Sequence, residues 1–267
     1  MNFAQTKARR LFESKIILTK SGDFSVVLDM MSPARRHWAS RILNFRTEER
    51  LTMKIYGAIL SPYVCRVLLA LRHKGIKHEV IMPKDGMRTP EYLAMNPLGK
   101  MPTMKDGMTT LPESSVICEY IDAKYPKKPV IPGTPKAASR ARLIATISAL
   151  YIQDNVSALF PQRDPKSRDK ALVKAKKADL EKGLAVLSQY LDDKGPWAMG
   201  KRFTLADCYA LPALFFVNLV MPGFGTKDAL AKHRKVKKYW VALKRNPMTK
   251  QVLKEMEVMA KQFFGNN

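Results

Sequence analysis

Apolar and polar positions change period in a definite order along the chain. Residues 54–59 form a short alternating, β-like run, and Ser61-Pro62 then opens a helical pattern carried by Val64, Val67, Leu68 and Leu71, with Gly75 placed to end it. Residues 78–82 read as a second strand, 90–95 as a short helix, and Thr103-Met104 as a third strand. Asp106-Gly107 is a hairpin signal leading to a fourth strand near residues 109–111. The stripe Val116, Ile117, Tyr120 and Ile121 then returns to the helical period over 115–125. Pro126, Pro129, Pro132, Gly133 and Pro135 mark a break, and every apolar pattern beyond it is helical: 137–160, 167–191, 204–220, 227–246 and 248–264. Thr204 and Asp207 open the third of these as a capping box, and Pro212 is expected to kink that helix without ending it.

The order β-α-β followed by β-β-α predicts a thioredoxin-like N-terminal domain over 53–126. A linker over 127–135 joins it to an all-helical bundle over 136–267, so the fold class is α/β plus all-α. Residues 1–52 carry Lys7, Arg9, Arg10, Arg35, Arg36 and Arg41 with only short apolar runs, and are expected to be a flexible extension outside the fold. The longest apolar runs look shorter than the roughly 20 residues that cross a bilayer, and no membrane span is expected.

Composition is that of a globular chain: 267 residues, 46% hydrophobic, 26% charged. The formal net charge of +24 raises the prospect of a nucleic-acid partner. The basic residues are dispersed, however, and Lys174, Lys176 and Lys177 are followed by Asp179 and Glu181, as on a solvated helix face. Nucleic acid is therefore not the expected partner, although a positive field favours anionic small molecules. Three widely spaced cysteines (Cys65, Cys118, Cys208) and four histidines without CxxC or HxxxH spacing indicate neither a disulfide framework nor a metal site, and fit a reducing cytoplasm.

Four local sequences carry a resemblance: Ser61-Pro-Tyr-Val-Cys-Arg66-Val, Asn96-Pro-Leu-Gly-Lys-Met-Pro102, Glu113-Ser-Ser115 and Phe203-Thr-Leu-Ala-Asp207. In this order and spacing they resemble the cytosolic glutathione S-transferases, bacterial-like in style, with a serine where some classes have a cysteine. The resemblance runs from Met53 to about Phe264. It implies glutathione as co-substrate, a small electrophilic substrate held by the helical domain, no metal, and a homodimer serving detoxification.

The resemblance makes Ser61 the catalytic candidate. A thiol is only a few per cent thiolate at neutral pH. Lowering its pKa by about two units stabilises the anion by roughly 2.7 kcal/mol. Ser61 precedes Pro62 at a helix start, where free N–H groups and the positive dipole end favour an anion. The Ser61 hydroxyl would donate to the glutathione sulfur; alternatively Ser61 is simply an N-cap. Tyr63 is a secondary candidate donor or pocket residue, Cys65 a buried hydrophobe or redox thiol, and Arg66 an ion-pair residue.

The resemblance further implies a cis peptide at Met101-Pro102, with the Met101 backbone pairing with the cysteine of glutathione. Lys100 would meet the glycine carboxylate, and Glu113 and Ser114 the γ-glutamyl end; a solvated loop lysine, a surface acid and an N-cap serine are the alternatives. Asp154 is the candidate for reaching a partner's glutathione. Tyr151, Leu159, Phe160 and Phe216 are candidate pocket residues that core packing would equally explain. A non-catalytic binding module and a glutathione-dependent thiol transferase are the competing functions, and serine at position 61 speaks against the second because it forms no mixed disulfide.

Overall fold

The computed structural model describes residues 52–265, so the expected extension lies outside the described residues but for its last position. The chain begins with β1 (Met53–Tyr56), α1 (Pro62–Lys74) and β2 (His78–Ile81). After α2 (Pro90–Met95) come the hairpin strands β3 (Thr103–Asp106) and β4 (Thr109–Pro112), then α3 (Ser114–Lys124). The sheet order is β2-β1-β3-β4, with β1 parallel to β2 and β3 antiparallel to both its neighbours. In β1 the core side takes Met53 and Ile55, as alternation requires.

α1 starts at an extended Ser61 with Pro62 at its first position and ends at Gly75, whose φ of 73° closes the helix in the left-handed region. Its residues from Val64 to Leu71 are all buried, because α3 and the helical domain cover what the sheet does not. At the foot of α3, the Asp122 carboxylate accepts from the Val130 and Ile131 amides at 2.8 and 3.1 Å and pairs with Lys74 at 2.7 Å. The proline-rich segment is thereby held against the core, with Val130 wholly buried.

In the helical half, α4 (Pro135–Thr146) continues into a wider, π-type segment (Ile147–Gln153) and a short α5 (Asp154–Ser157). The uniform helix expected over 137–160 is thus interrupted. The interruption faces α6 (Lys170–Tyr190), where a Cβ on Gly183 would come within 2.3 Å of the Tyr151 carbonyl oxygen. Two backbones meet there at a distance that only glycine permits, at the segment that departs from α geometry.

The central helix α7 (Leu205–Val220) is buried almost throughout and continues across Pro212. α8 (Arg234–Arg245) begins later than the pattern over 227–246 suggests. Asp228 turns its carboxylate back onto the Leu230 amide at 3.0 Å, a local bond that competes with helix, and Leu230 is buried there. α9 (Pro247–Phe264) closes the chain over α1.

The expectation on membrane-spanning length needs correction. Among the described residues two helical stretches, Pro135–Gln162 and Leu205–Phe224, are long and apolar enough to cross a membrane by length and composition, with mean hydropathies of 1.3 and 1.5. The second is 83% buried, so its apolarity is that of a core helix.

α7 is anchored by Asp207. Its carboxylate accepts from the Thr204 amide (2.8 Å) and hydroxyl (3.2 Å), the Ala198 amide (2.8 Å) and the Tyr239 hydroxyl (2.8 Å). Burial pushes the Asp207 carboxyl up to about 6, against the pull of these four bonds.

Candidate functional site

Sheet register assembles the site. Tyr56 pairs with Ile81 on one side and Thr103 on the other, and Thr103 pairs with Pro112. One row of the sheet therefore ends at three exits lying side by side: Gly57 leading to Ser61, the Met101-Pro102 peptide, and Glu113-Ser114. Residues far apart in sequence share this edge because the strands that deliver them are in register.

Gly57 makes the closest approach possible. It has a φ of 146°, and a Cβ on it would lie 2.5 Å from a Val64 methyl and 3.1 Å from the Met101 Cβ. Val64 of the first turn of α1 and Met101 therefore both lie close against Gly57. The Met101-Pro102 peptide is cis, as expected from the resemblance.

Ser61 caps α1, its side-chain oxygen accepting from the Val64 amide at 3.4 Å. The capping and donor roles are compatible, because a hydroxyl has two lone pairs and one proton. Pro62 has no N–H and Val64's is taken. The Ser61 proton and the Tyr63 amide remain for an incoming anion at the positive end of the helix.

The loop carrying Lys100 and Met101 is held from beneath. Asn96 donates from Nδ2 to the Lys100 carbonyl (2.7 Å) and to the Thr103 hydroxyl (2.9 Å), while its Oδ1 accepts from the Leu98 amide (3.0 Å). Tyr92 adds a hydroxyl bond of 2.8 Å to the same Lys100 carbonyl and a second of 2.8 Å to Thr103. The Lys100 side chain itself is exposed and has no ion-pair partner among the described residues. Met101's backbone N–H and C=O likewise have no backbone partner among them.

Glu113 stands at the N-cap of α3 with φ 65° and ψ 115°, and its carboxylate makes no capping bond. A non-glycine residue in this region is strained by of order 1–3 kcal/mol and persists only where its surroundings impose it. Here β4's pairing fixes the chain before Glu113 and α3 fixes it after. Ser114, the first residue of α3, is buried.

Other candidates are placed differently. Tyr63 is exposed, and its ring covers the Arg66 guanidinium at 4.6 Å. Arg66 forms no ion pair among the described residues, against expectation. It is buried between the faces of Tyr63 and Tyr209, 4.1 Å from the latter, and its Nε lacks a hydrogen-bond partner. Tyr209 projects from α7, so an aromatic sandwich replaces the expected carboxylate.

Cys65 is fully buried with its sulfur 3.5 Å from that of Met256, and burial pushes its thiol up to about 12, outweighing the nearby Arg72 and Arg66. It is not a thiolate at neutral pH. Asp154 is exposed at the start of α5, on the helical half. Leu159 and Phe216 are core; Phe160 packs on Phe216 and Phe264; Tyr151 is 55% exposed.

Sequence reasoning overlooked Gly57, Tyr92, Thr103 and Tyr209. A glycine directly after a strand was a visible signal for the first. The others look like ordinary members of short apolar runs, and only the fold shows what the hydroxyls of Tyr92 and Thr103 reach and that the Tyr209 ring lies over Arg66.

Residues 55–129 match the family described as glutathione S-transferase, N-terminal domain, and residues 147–247 match glutathione S-transferase, C-terminal domain. The chain is 31% identical over 207 residues to glutathione S-transferase 3 of Zea mays, covering 73% of this chain and 90% of the maize protein. It is 32% identical over 171 residues to a maleylacetoacetate isomerase of Pseudomonas aeruginosa, covering 61% and 80%. Among solved structures, a glutathione S-transferase of Methylobacterium radiotolerans in complex with glutathione sulfonate superposes with a TM-score of 0.64 at 26% identity, covering 76% of this chain and 94% of that one.

Proposed function

Since the chain belongs to the glutathione S-transferase family, we propose that it activates the thiol of glutathione at the start of α1 for attack on a small, apolar electrophile. The observation that carries the proposal is the common sheet edge at which Ser61, Met101-Pro102 and Glu113-Ser114 emerge. Glutathione has two carboxylates, one ammonium and a central cysteine. Ser114 and the N-terminus of α3 suit the γ-glutamyl carboxylate, and Glu113 suits the ammonium. The Met101 backbone meets the cysteine and Lys100 the glycine carboxylate. The thiolate then lies against Ser61, whose hydroxyl donates to it.

The Cys65 thiol, buried and held near 12, does not support the thiol-transferase alternative. The binding-module alternative draws on the basic surface. Part of that charge is locally paired, as in Lys237–Asp228 and Lys235–Asp193, and this weakens it. We place the reaction in a reducing cytoplasm, supported by three free, buried cysteines. Detoxification of apolar electrophiles is the role this chemistry serves.

A homodimer is part of the proposal. Glu119 of α3 and Arg142 of α4 pair at 3.0 Å. Beside that bridge Val116, Leu143 and Leu150 are exposed, an apolar face suited to a second copy. Sedimentation at micromolar concentration should give twice the monomer mass, and a monomer would refute it.

Ser61→Ala tests the chemistry. We expect kcat with a standard aryl halide acceptor to fall on the order of 10²-fold, the effect of removing one preorganised donor to an anion. Glutathione affinity should change little. Wild-type protein that neither binds glutathione nor shows a glutathione-dependent reaction would defeat the proposal.

A further inference from the structure

Six of the twelve residues of α8 are lysine or arginine and none is acidic. Its apolar residues Val236, Tyr239, Trp240 and Leu243 are buried, and its main packing partners, α6, α7 and α9, all belong to the helical half. The basic residues are left on the outward face. Arg234 and Lys235 open the helix, where the positive end of its dipole disfavours a cation, so helix stability does not account for them. Asp193 and Asp228 pair with Lys235 at 3.1 Å and with Lys237 at 2.6 Å. Arg234, Lys238 and Arg245 have no carboxylate partner among the described residues. Beside this face runs an open groove of about 540 Å³. Pro196, Val241 and Ala242 give it an aliphatic patch, bordered by Lys237, Lys238 and Arg245.

We propose that this groove docks an acidic segment of a partner protein, its carboxylates meeting Lys238 and Arg245 and one aliphatic side chain lying on Val241 and Ala242. The inference is independent of the glutathione reading, since it uses only residues of the helical half. Charge complementarity selects a carboxylate-rich partner, and the spacing selects a chain over a small anion. Lys237 and Arg245 stand about 12 Å apart along the helix axis, further than one small anion reaches. Single-stranded nucleic acid calls for exposed aromatic faces on which bases stack, and both aromatic residues of α8, Tyr239 and Trp240, are turned into the core. A membrane surface calls for bulky apolar side chains that project beyond the charges, whereas Val241 and Ala242 are half-buried and small. A peptide offers both things the groove can use, a row of carboxylates and an aliphatic side chain between them.

The test uses a fluorescently labelled peptide of glutamates around a central leucine, titrated with the full chain at physiological salt. Saturable binding with a Kd on the order of 100 μM or tighter is expected, the range of a small, transient contact. Lys238→Glu combined with Arg245→Glu should weaken it at least tenfold, with the melting temperature unchanged within about 2 °C as evidence of an intact fold. Lys170→Glu combined with Lys174→Glu makes the same change of charge on the exposed part of α6, and should shift Kd by less than threefold because distant charges are screened. Replacing the peptide's leucine by serine should weaken binding at least threefold, the effect of losing the aliphatic contact. No saturable binding, equal losses from the α6 and α8 variants, or equal affinity for the serine peptide overturns the inference. So does tighter binding of a short oligouridylate, or of phosphatidylcholine vesicles containing phosphatidylglycerol, than of the leucine peptide.

Discussion

Both halves of the molecule fasten a segment with a buried polar cluster, and the two clusters use opposite chemistry. In the thioredoxin-like half, Asn96, Tyr92 and Thr103 form a neutral network around the Lys100 carbonyl. In the helical half, a carboxylate, Asp207, gathers two amides and two hydroxyls at the head of α7. The neutral network lies directly beneath the loop whose backbone is proposed to meet glutathione. A charge there would compete electrostatically with the carboxylates and ammonium of glutathione. The Asp207 cluster is sealed in the core, faces no ligand, and can use the stronger bonds that a carboxylate accepts. One cluster should therefore couple to function and the other to folding.

The sharpest way to break that division is Asp207→Ala. It strands the Ala198 and Thr204 amides and the Tyr239 hydroxyl in the core, and should cost about 3–5 kcal/mol by denaturant unfolding. Glutathione affinity of the fraction that remains folded should be unchanged. The penalty should depend on pH with a definite sign. The folded state raises this carboxyl from 3.8 to about 6, so the native protein binds its proton more tightly than the unfolded chain does. That contribution is complete below about pH 3.8 and is lost as pH rises through about 6. The stability difference between wild type and Asp207→Ala should accordingly be greater at pH 4 than at pH 7, by up to about 3 kcal/mol. A difference that does not vary with pH would mean that the four bonds fully offset burial.

Asn96→Ala tests the other cluster. Tyr92 would still hold the Lys100 carbonyl, so the expected loss is smaller, about 2–3 kcal/mol. Here stability and function should fall together, with glutathione KM rising at least fivefold as the Met101 edge loosens. Loss of stability with KM unchanged would show that the loop is positioned by the sheet alone.

The contrast also explains what could be read before the fold was known. Element order, the Gly75 stop and the Thr204–Asp207 box follow from local residue chemistry, the cis bond at Met101-Pro102 from the resemblance, and each is found in the structure. The π-type segment does not, because its cause is Gly183, distant in sequence, meeting the Tyr151 carbonyl. Nor does the Arg66 sandwich: a sequence shows that an arginine on a buried helix needs a partner, and not that two tyrosine faces supply it. The candidate residues of the site were legible one by one through resemblance, whereas their convergence depends on strand register.

Glu113 carries the smallest expected effect and divides the two clusters' logic within a single residue. Its φ of 65° is imposed by β4 on one side and α3 on the other, and its carboxylate contributes nothing to capping. Glu113→Gly releases the strain and adds chain entropy to the unfolded state, two effects of opposite sign. The net should be a gain of about 0.5–1 kcal/mol in stability. The same change removes the carboxylate proposed to meet the glutathione ammonium, an exposed pairing worth about 1 kcal/mol or less, so KM should rise two- to fivefold. Glu113→Gln keeps the strain and removes only the charge, and should reproduce the KM change without the gain in stability. If both variants leave KM at the wild-type value, Glu113 has no role in recognition and its strained backbone serves only to start α3.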